Sequence, residues 1–578
     1  MRDCEVKCKV CQRNSIRPEE SEAWPGVVHP SVPIPGSRGI RQGTGLARLI
    51  VVFVGLLLPC VLQATTYTVK AGGGGNYTTI QACANATVAG DTCTVYAGTY
   101  NEVVTLSHSG TGTGDVCTSC ITFRVNPGDT VGLYGFTVAA NYVVIQGFTI
   151  TDPSLSHANA GIYFTGSSTG VHILNNVITL VGKGYPCIST RPGTPSHNLI
   201  ITGNTISWCS SVPGGGNANA SSGASVYADH SLIANNDISK AINGIQLSQP
   251  NEVVRNNYYH DTNDAVDFPG CSEPTCDTHI DMIEVTAPTA VNIVIEGNRM
   301  NNTFGVGGAH NIIYSASVSG ESVHRFNVVY NIGSFLLIAQ GGYSGVHSYN
   351  NTLVTANLEG HNYFVASWSA SSTNGTYLNE LMYNVINPPG YAGAYYYTVD
   401  AGSTPRFAGG NNLAFDTSCV AGTLAGCTTG RMLTDPGNLY GDPKFVNPAS
   451  DFHLQAGSPA LNAGRYLTTV ASADSGSGTS LIVNDAGFFQ DGYGISGVQA
   501  DCIAVTMVTN PVCIMAVNYQ TNTLTLASSI TRSAGDPVWL YSDSTERQVL
   551  FGEAPNIGAI FDVVLPPAPP TNLTAVPQ

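Results

Sequence analysis

The chain predicts an all-β solenoid, a parallel β-helix, on three observations: a short apolar motif returning at near-constant spacing, strand chemistry inside each copy, and an Asn at its turn. The motif reads Val143-Val144-Ile145-Gln146-Gly147-Phe148-Thr149-Ile150 and returns at 171–178, 199–206, 232–238, 253–259, 294–300 and 323–329. Weaker echoes sit at 348–351, 382–384 and 409–412. From Phe148 its closing residue steps by 28, 28, 32, 21, 41 and 29 to Asn327, the spacing of one coil.

The apolar runs are short, β-branched and broken by Asn-Asn or Gly-Asn, with no helical period. Asn tolerates left-handed backbone and its amide bonds to neighbouring backbone, so one Asn per coil predicts a stacked amide ladder. A second strand per coil shows at 161–164, 244–247, 311–314 and 335–338. Several short strands per turn, apolar inside and polar outside, describe a β-helix.

With its I-x-x-N-x-I repeats, the chain resembles the right-handed parallel β-helix, or pectin-lyase-like, superfamily of exported bacterial-type proteins over residues 65–465. The resemblance implies a right-handed coil with an N-terminal cap, and polysaccharide as partner. Fold does not fix activity. The superfamily's lyase and polygalacturonase signatures are not evident: there is neither an Arg-x-Pro-x-x-Arg nor an Asn-x-Asp followed by Asp-Asp.

The ends read differently. Arg48, the apolar run 49–58 and the small residue Ala64 have the form of a secretory signal, so 46–64 is expected to be a signal peptide and 1–45 an upstream extension. Behind it twelve Cys fall into local couples, 83 with 93, 117 with 120, 187 with 209, 271 with 276, 419 with 427 and 502 with 513. Such pairing reads as an oxidised protein, secreted or at the cell surface, with no membrane insertion of the mature chain. Metal ligation is the rival reading for Cys117 and Cys120.

The whole chain carries 22 basic and 38 acidic residues. Eight and five of these precede residue 65, so the remainder holds 14 against 33, a net charge near −19. Nucleic acid is excluded as a partner by such a surface, and a monomer is expected.

In chain order, 76–102 resembles the opening of extracellular β-helices, a short helix at 80–87 capping the first coil and Gly98-Thr99-Tyr100-Asn101-Glu102 starting the stack. A solenoid needs that cap to cover its first strand edge. Insertions at 182–197, 210–222 and 261–278 mark the face where ligand is expected. Residues 442–464 and 554–564 resemble a closing segment split by a small inserted β module at 466–553. A Pro-rich linker, 565–578, follows.

Ionisable groups are densest at Arg255, His260, Asp261, Asp264, Asp267, Asp277, His279, Asp281 and Glu284, beside the longest insertion. The segment from Asp277 to Glu284 resembles a His-x-Asp-x-Ile-Gln/Glu motif of β-helix proteins with polysaccharide-directed activity. Coils about 4.8 Å apart place acids on neighbouring coils near the roughly 5 Å of a retaining glycosidase. Asp267, Asp281 and Glu284 are the candidate acids. A lyase needs a cation against a uronate and a base beside it, roles open to Arg255, His260 and His279. Asp261, Asp264 and Asp277 are candidate Ca²⁺ ligands, though no cofactor is required. Aligning the repeats on their Asn also puts Arg255, Glu296 and Arg325 in one column, which reads as a stacked salt-bridge ladder.

The expectation is a polysaccharide-engaging β-helix, as a lyase, a glycoside hydrolase or a non-catalytic binding or surface-structural protein.

Overall fold

The computed structural model describes residues 63–560 apart from 191–193, 212–221, 269–279, 306–308, 334, 340–342, 357–364, 368–374, 386–397, 400–406, 428–430 and 508. Its main body is a right-handed parallel β-helix with three strands per coil. A 13-stranded parallel sheet runs from Thr66–Val69 to Phe407–Gly410, one strand per coil, and forms the first face. A 22-stranded sheet forms the other two. After Val131–Val138 it divides, one column running from Thr149–Ile150 to Leu439–Tyr440 (the second face) and one from Ile162–Phe164 to Thr398–Val399 (the third face).

The coil forms because equivalent residues stack. Ile145, Ile173, Ile201, Ile233, Val254 and Ile295 are in register on successive strands and wholly buried. Each is worth about 1.5–3 kcal/mol relative to exposure. The turn after each such strand explains the repeated dipeptide. Its first residue is left-handed, with φ of 83° at Gly147, 53° at Asn175, 71° at Gly203, 54° at Asn235 and 64° at Gly297, which only Gly and Asn enter cheaply. At Gly203 a Cβ would also lie 2.1 Å from Asn175 Oδ1.

The second residue of the dipeptide builds the expected ladder. Asn176, Asn204, Asn236, Asn257, Asn298, Asn327 and Asn351 are buried. Each Oδ1 from Asn204 onward accepts from the backbone N–H and the Nδ2 of the Asn one coil before, at 2.9–3.1 Å. Each Nδ2 also donates to a carbonyl of the preceding coil, as from Asn204 to Ile173.

The next rung departs from the sequence reading. Asn384, expected from the echo at 382–384, sits at a later corner with φ 51° and accepts from the Thr417 N–H. The rung is Glu380, wholly buried, whose carboxylate accepts from the N–H and Nδ2 of Asn351 and from Ser348 Oγ.

The cap helix spans Ile80–Ala84, begun by Thr79 and ended earlier than the expected residue 87. Glu102, from the opening motif, accepts the N–H groups of Ile80 and Gln81 at 2.7 and 3.1 Å, filling two of the helix's free donors. Five of the expected Cys couples are disulfides, including Cys117–Cys120, and Cys271 and Cys276 lie outside the described residues. Among the described residues no helix is long and apolar enough to cross a membrane.

Two later elements lie on the coil. The hairpin of Phe445–Asn447 and Asp451–Leu454 packs on the second face, where Phe445, Phe452 and Ala460 cluster with Val354, Leu381, Tyr383 and Leu413. A six-stranded sheet from Thr468–Thr469 to Pro537–Ser542 covers the first face. Its Leu481, Phe489, Ile503 and Leu540 share a core with Leu232, Val253, Val294, Val323 and Tyr349 of the coil.

Candidate functional site

The coil distributes the sequence-predicted residues over three faces. Arg255 is on the first face, where Nη1 donates to the carbonyl and hydroxyl of Ser544 at 3.0 and 2.9 Å and Nη2 to the Gly497 carbonyl. Burial lowers its pKa, against the pull of Glu296 and Asp543. Arg255, Glu296 and Arg325 are in register, as their spacing suggested. Arg325 is wholly buried, bonding Glu296 at 2.8 Å, Asp501 twice at 2.7 Å and the Tyr349 hydroxyl at 2.9 Å. This column anchors the overlying sheet rather than presenting charge to a ligand.

His260 and Asp261 lie on the second face, in strand Tyr258–Asn263. His260 Nε2 meets Asp237 Oδ1 of the preceding coil at 3.0 Å and Nδ1 meets Asp261 Oδ2 at 2.8 Å. Burial works against the charged imidazole, but the two carboxylates outweigh it and raise its pKa. Burial likewise opposes ionisation of Asp261, yet its bonds to His260 and Asn302 hold its pKa below the ordinary value. Asn331 donates to Asn302, and Asn302 to Asp261 Oδ1, so a hydrogen-bonded chain crosses four coils. Both Asp261 oxygens are thereby occupied. Beside them Arg299 lies between the rings of Tyr258 and Tyr330 and donates to the Tyr330 hydroxyl at 2.6 Å. Burial, then neighbouring Tyr330, pushes the Tyr258 hydroxyl up to about 12.

Asp267 ends the short helix Asp264–Asp267, buried, with Oδ2 accepting from Lys240 Nζ at 3.1 Å and the Asn263 N–H at 2.7 Å. The Asp264 side chain, Asp277 and His279 lie outside the described residues. Among the described residues no group of three or more His, Cys, Asp or Glu is arranged to hold a metal ion.

Asp281 and Glu284 are on the third face, in strand Ile280–Val285. Ile245, Leu247, Ile283 and Val285 fill the core, so Gln246 and Glu284 between them turn outward. Glu284 Oε2 accepts from Gln246 Nε2 at 2.8 Å and from Asn243 Nδ2 at 3.2 Å, placing all three side chains on one surface. Three residues earlier in each strand, Asn243, Asp281 and His310 are in register on three successive strands. Asp281 Oδ1 holds His310 Nδ1 at 2.5 Å, and both are buried. A carboxylate on one ring nitrogen fixes the orientation of an imidazole.

Buried amide atoms in this column are left unpaired. Asn243 Oδ1 has no partner among the described residues, nor has either amide atom of wholly buried Asn311 next to His310. Buried polar atoms are nearly always bonded, and leaving one bare costs about 1–3 kcal/mol. Segments 212–221, 269–279 and 306–308 each lead directly into a strand of this column.

Asn243, Gln246, His310 and Asn311 were not singled out by the sequence reading. Their signal is the second strand of each coil: Asn243-Gly-Ile-Gln246, Asp281-Met-Ile-Glu284 and His310-Asn-Ile-Ile313 are one four-residue pattern three times. Aligning coils on the ladder Asn alone hides it, because insertions of unequal length intervene.

No protein-family model matches the chain, and no curated protein matches its sequence. Among solved structures it is similar to an alginate lyase from Paenibacillus sp. str. FPU-7, at 17% identity over 52% of this chain and 99% of that one, with a TM-score of 0.39. It is also similar to XylC in complex with xylose (12% identity, 86% and 98% covered, TM-score 0.41) and to pectate lyase Pel9A (15%, 72% and 94%, TM-score 0.37). Likeness at this level says nothing of activity.

Proposed function

We propose that this chain is an exported β-helix protein that engages a polysaccharide along its third face. The observation that carries the reading is the outward pair of Gln246 and Glu284 on neighbouring strands of the third face, joined by Asn243, with the buried pair of Asp281 and His310 on the same and the adjoining strand. Groups repeated at the coil spacing of about 4.8 Å suit a ligand that itself repeats. Side-chain amides and carboxylates are the partners that hydroxyl groups require. The first face is closed by the overlying sheet and part of the second by the closing hairpin.

Cleavage is a second reading, favoured by one observation: Asp281 Oδ1 meets His310 Nδ1 at 2.5 Å in the strand column that carries Glu284, and carboxylate and imidazole are the groups general acid–base catalysis uses. In hydrolysis one group would give its proton to the leaving glycosidic oxygen while the other takes a proton from the attacking water, whose oxygen joins the anomeric carbon.

The test incubates the full chain with a panel of polysaccharides, following affinity and released reducing ends. Binding lost in Gln246→Ala supports engagement, and reducing ends lost in Glu284→Gln or Asp281→Asn support cleavage. Binding that survives Gln246→Ala and Asn243→Ala unchanged overturns the placement on the third face.

A further inference from the structure

The column that carries Gln246 and Glu284 continues toward the N-terminus. Register links Glu284 to Gln246, Gln246 to Ser225, Ser225 to Ser189 and Ser189 to Tyr163, one residue on each of five successive third-face strands. Tyr163 turns outward because Ile162 and Phe164 on either side of it fill the core. Ser189 and Ser225, the rungs between, carry side chains too short to stand up between a Tyr at one end and Gln and Glu at the other. Three strand spacings separate Tyr163 from Gln246, about 14 Å along the axis.

Tyr163 does not stand alone. The turn entering strand Ile188–Ser189 sets the Tyr185 ring against it, with centroids 5.3 Å apart and planes at 61°. Tyr163 is half-buried, and Tyr185 keeps 41% of its surface exposed. The turn itself is pinned. The Lys183 N–H donates to the Asn159 carbonyl at 2.9 Å, the Gly184 N–H to Ser210 Oγ at 3.0 Å, and the Ser210 hydroxyl to the Tyr185 carbonyl. Two residues on, Cys187 is bonded to Cys209, and both are wholly buried. A ring carried on such a turn is held before any ligand arrives, so it loses little freedom when one binds.

A pyranose ring has a face of C–H groups, which an aromatic ring covers, and a rim of hydroxyls, which need donors and acceptors. The third face offers both in one row, rings at Tyr163 and Tyr185 and polar side chains at Gln246 and Glu284. A sugar unit is about as long as one coil spacing, so about four units reach from Tyr163 to Gln246. Resting on the reading of the third face as the polysaccharide site, we infer that Tyr185, backed by Tyr163, is a second sugar subsite, where a ring stacks about three units away from the one held at Gln246. The register that puts Tyr163 in the column of Gln246, set beside the exposed and braced Tyr185, is the juxtaposition that selects it. The ligand is then a pyranose chain of at least about four units.

The experiment is calorimetric titration of the full chain with xylobiose through xylohexaose and cellobiose through cellohexaose, repeated on Tyr185→Ala, Tyr185→Phe and Gln246→Ala. Thermal unfolding of each variant, matched to the wild type, shows that its losses are local. Affinity is expected to rise with chain length up to about four or five units and then level off. Tyr185→Ala is expected to weaken the hexaose about five-fold and to erase most of the gain with length, and Tyr185→Phe, which keeps the ring, to recover most of that loss. A hexaose bound equally by wild type and Tyr185→Ala, yet weakened by Gln246→Ala, overturns the subsite and keeps the third face. A loss in Tyr185→Phe as large as in Tyr185→Ala overturns stacking as the contact. Hexaoses that do not bind the folded protein, or whose binding survives Gln246→Ala, overturn the third-face reading and the inference with it.

Discussion

Glu380 shows how one residue changes the physics of a repeated position. Where neighbouring coils have an amide, it places a carboxyl group that burial pushes up to about 8, against the lowering effect of its bonds to Ser348 and Asn351. A pKa raised in the fold from 4.5 means stability fully present below about 4.5 and lost as the pH rises through 8. Glu380→Gln, which keeps an acceptor for Asn351 and offers an N–H to Ser348, should gain in Tm over the wild type as the pH rises from 5 to about 8 and level off above that. A difference flat in pH would show that Glu380 does not titrate in the fold. The neighbouring rungs behave otherwise: Asn204→Ala leaves the Asn176 amide without its acceptor, and each bare group costs roughly 1–3 kcal/mol. Denaturant unfolding should show a loss of that order, while an unchanged midpoint would mean that the ladder relaxes around the gap.

At the scale of elements, the strand column is the unit of function. On the second face, His260 ties two coils through Asp237 and, by way of Asp261, Asn302 and Asn331, reaches two more. Its raised pKa has the same sign of effect: this clamp is intact below 6.5 and weakens as the pH rises through the higher value it has in the fold. His260→Gln should therefore flatten the decline of Tm with pH above 6.5, and an unaltered decline would assign it to other groups. Much at this scale was legible in sequence. The period, the Asn ladder and the Arg255–Glu296–Arg325 register follow from local spacing. Two things did not. The rung at Glu380 was missed because Asn384 made a better match to the motif, and residues 255–284 were read as one cluster although successive strands of a coil face different ways.

The whole molecule is decided by contacts far apart in sequence, which spacing does not reveal. Arg325 meets Asp501 across 176 residues and Arg255 meets Ser544 across 289, so the fate of the first face was invisible before the overlying sheet was placed. Removing one partner of such a buried pair strands the others: Arg325→Ala should cost about 3–5 kcal/mol and expose the 466–553 segment to proteolysis. Retained protection would show that the apolar cluster holds the sheet unaided. With that face closed, the third face is the one left for a polysaccharide to engage. The most direct measurement is a crystal structure of the full chain with bound xylohexaose or cellohexaose. Sugar rings are expected to lie along strands Asn243–Leu247, Ile280–Val285 and Ala309–Tyr314, with hydroxyls bonded to Gln246 and Glu284. Sugar seated instead beside Tyr258 and Arg299, or on the overlying sheet, would contradict it.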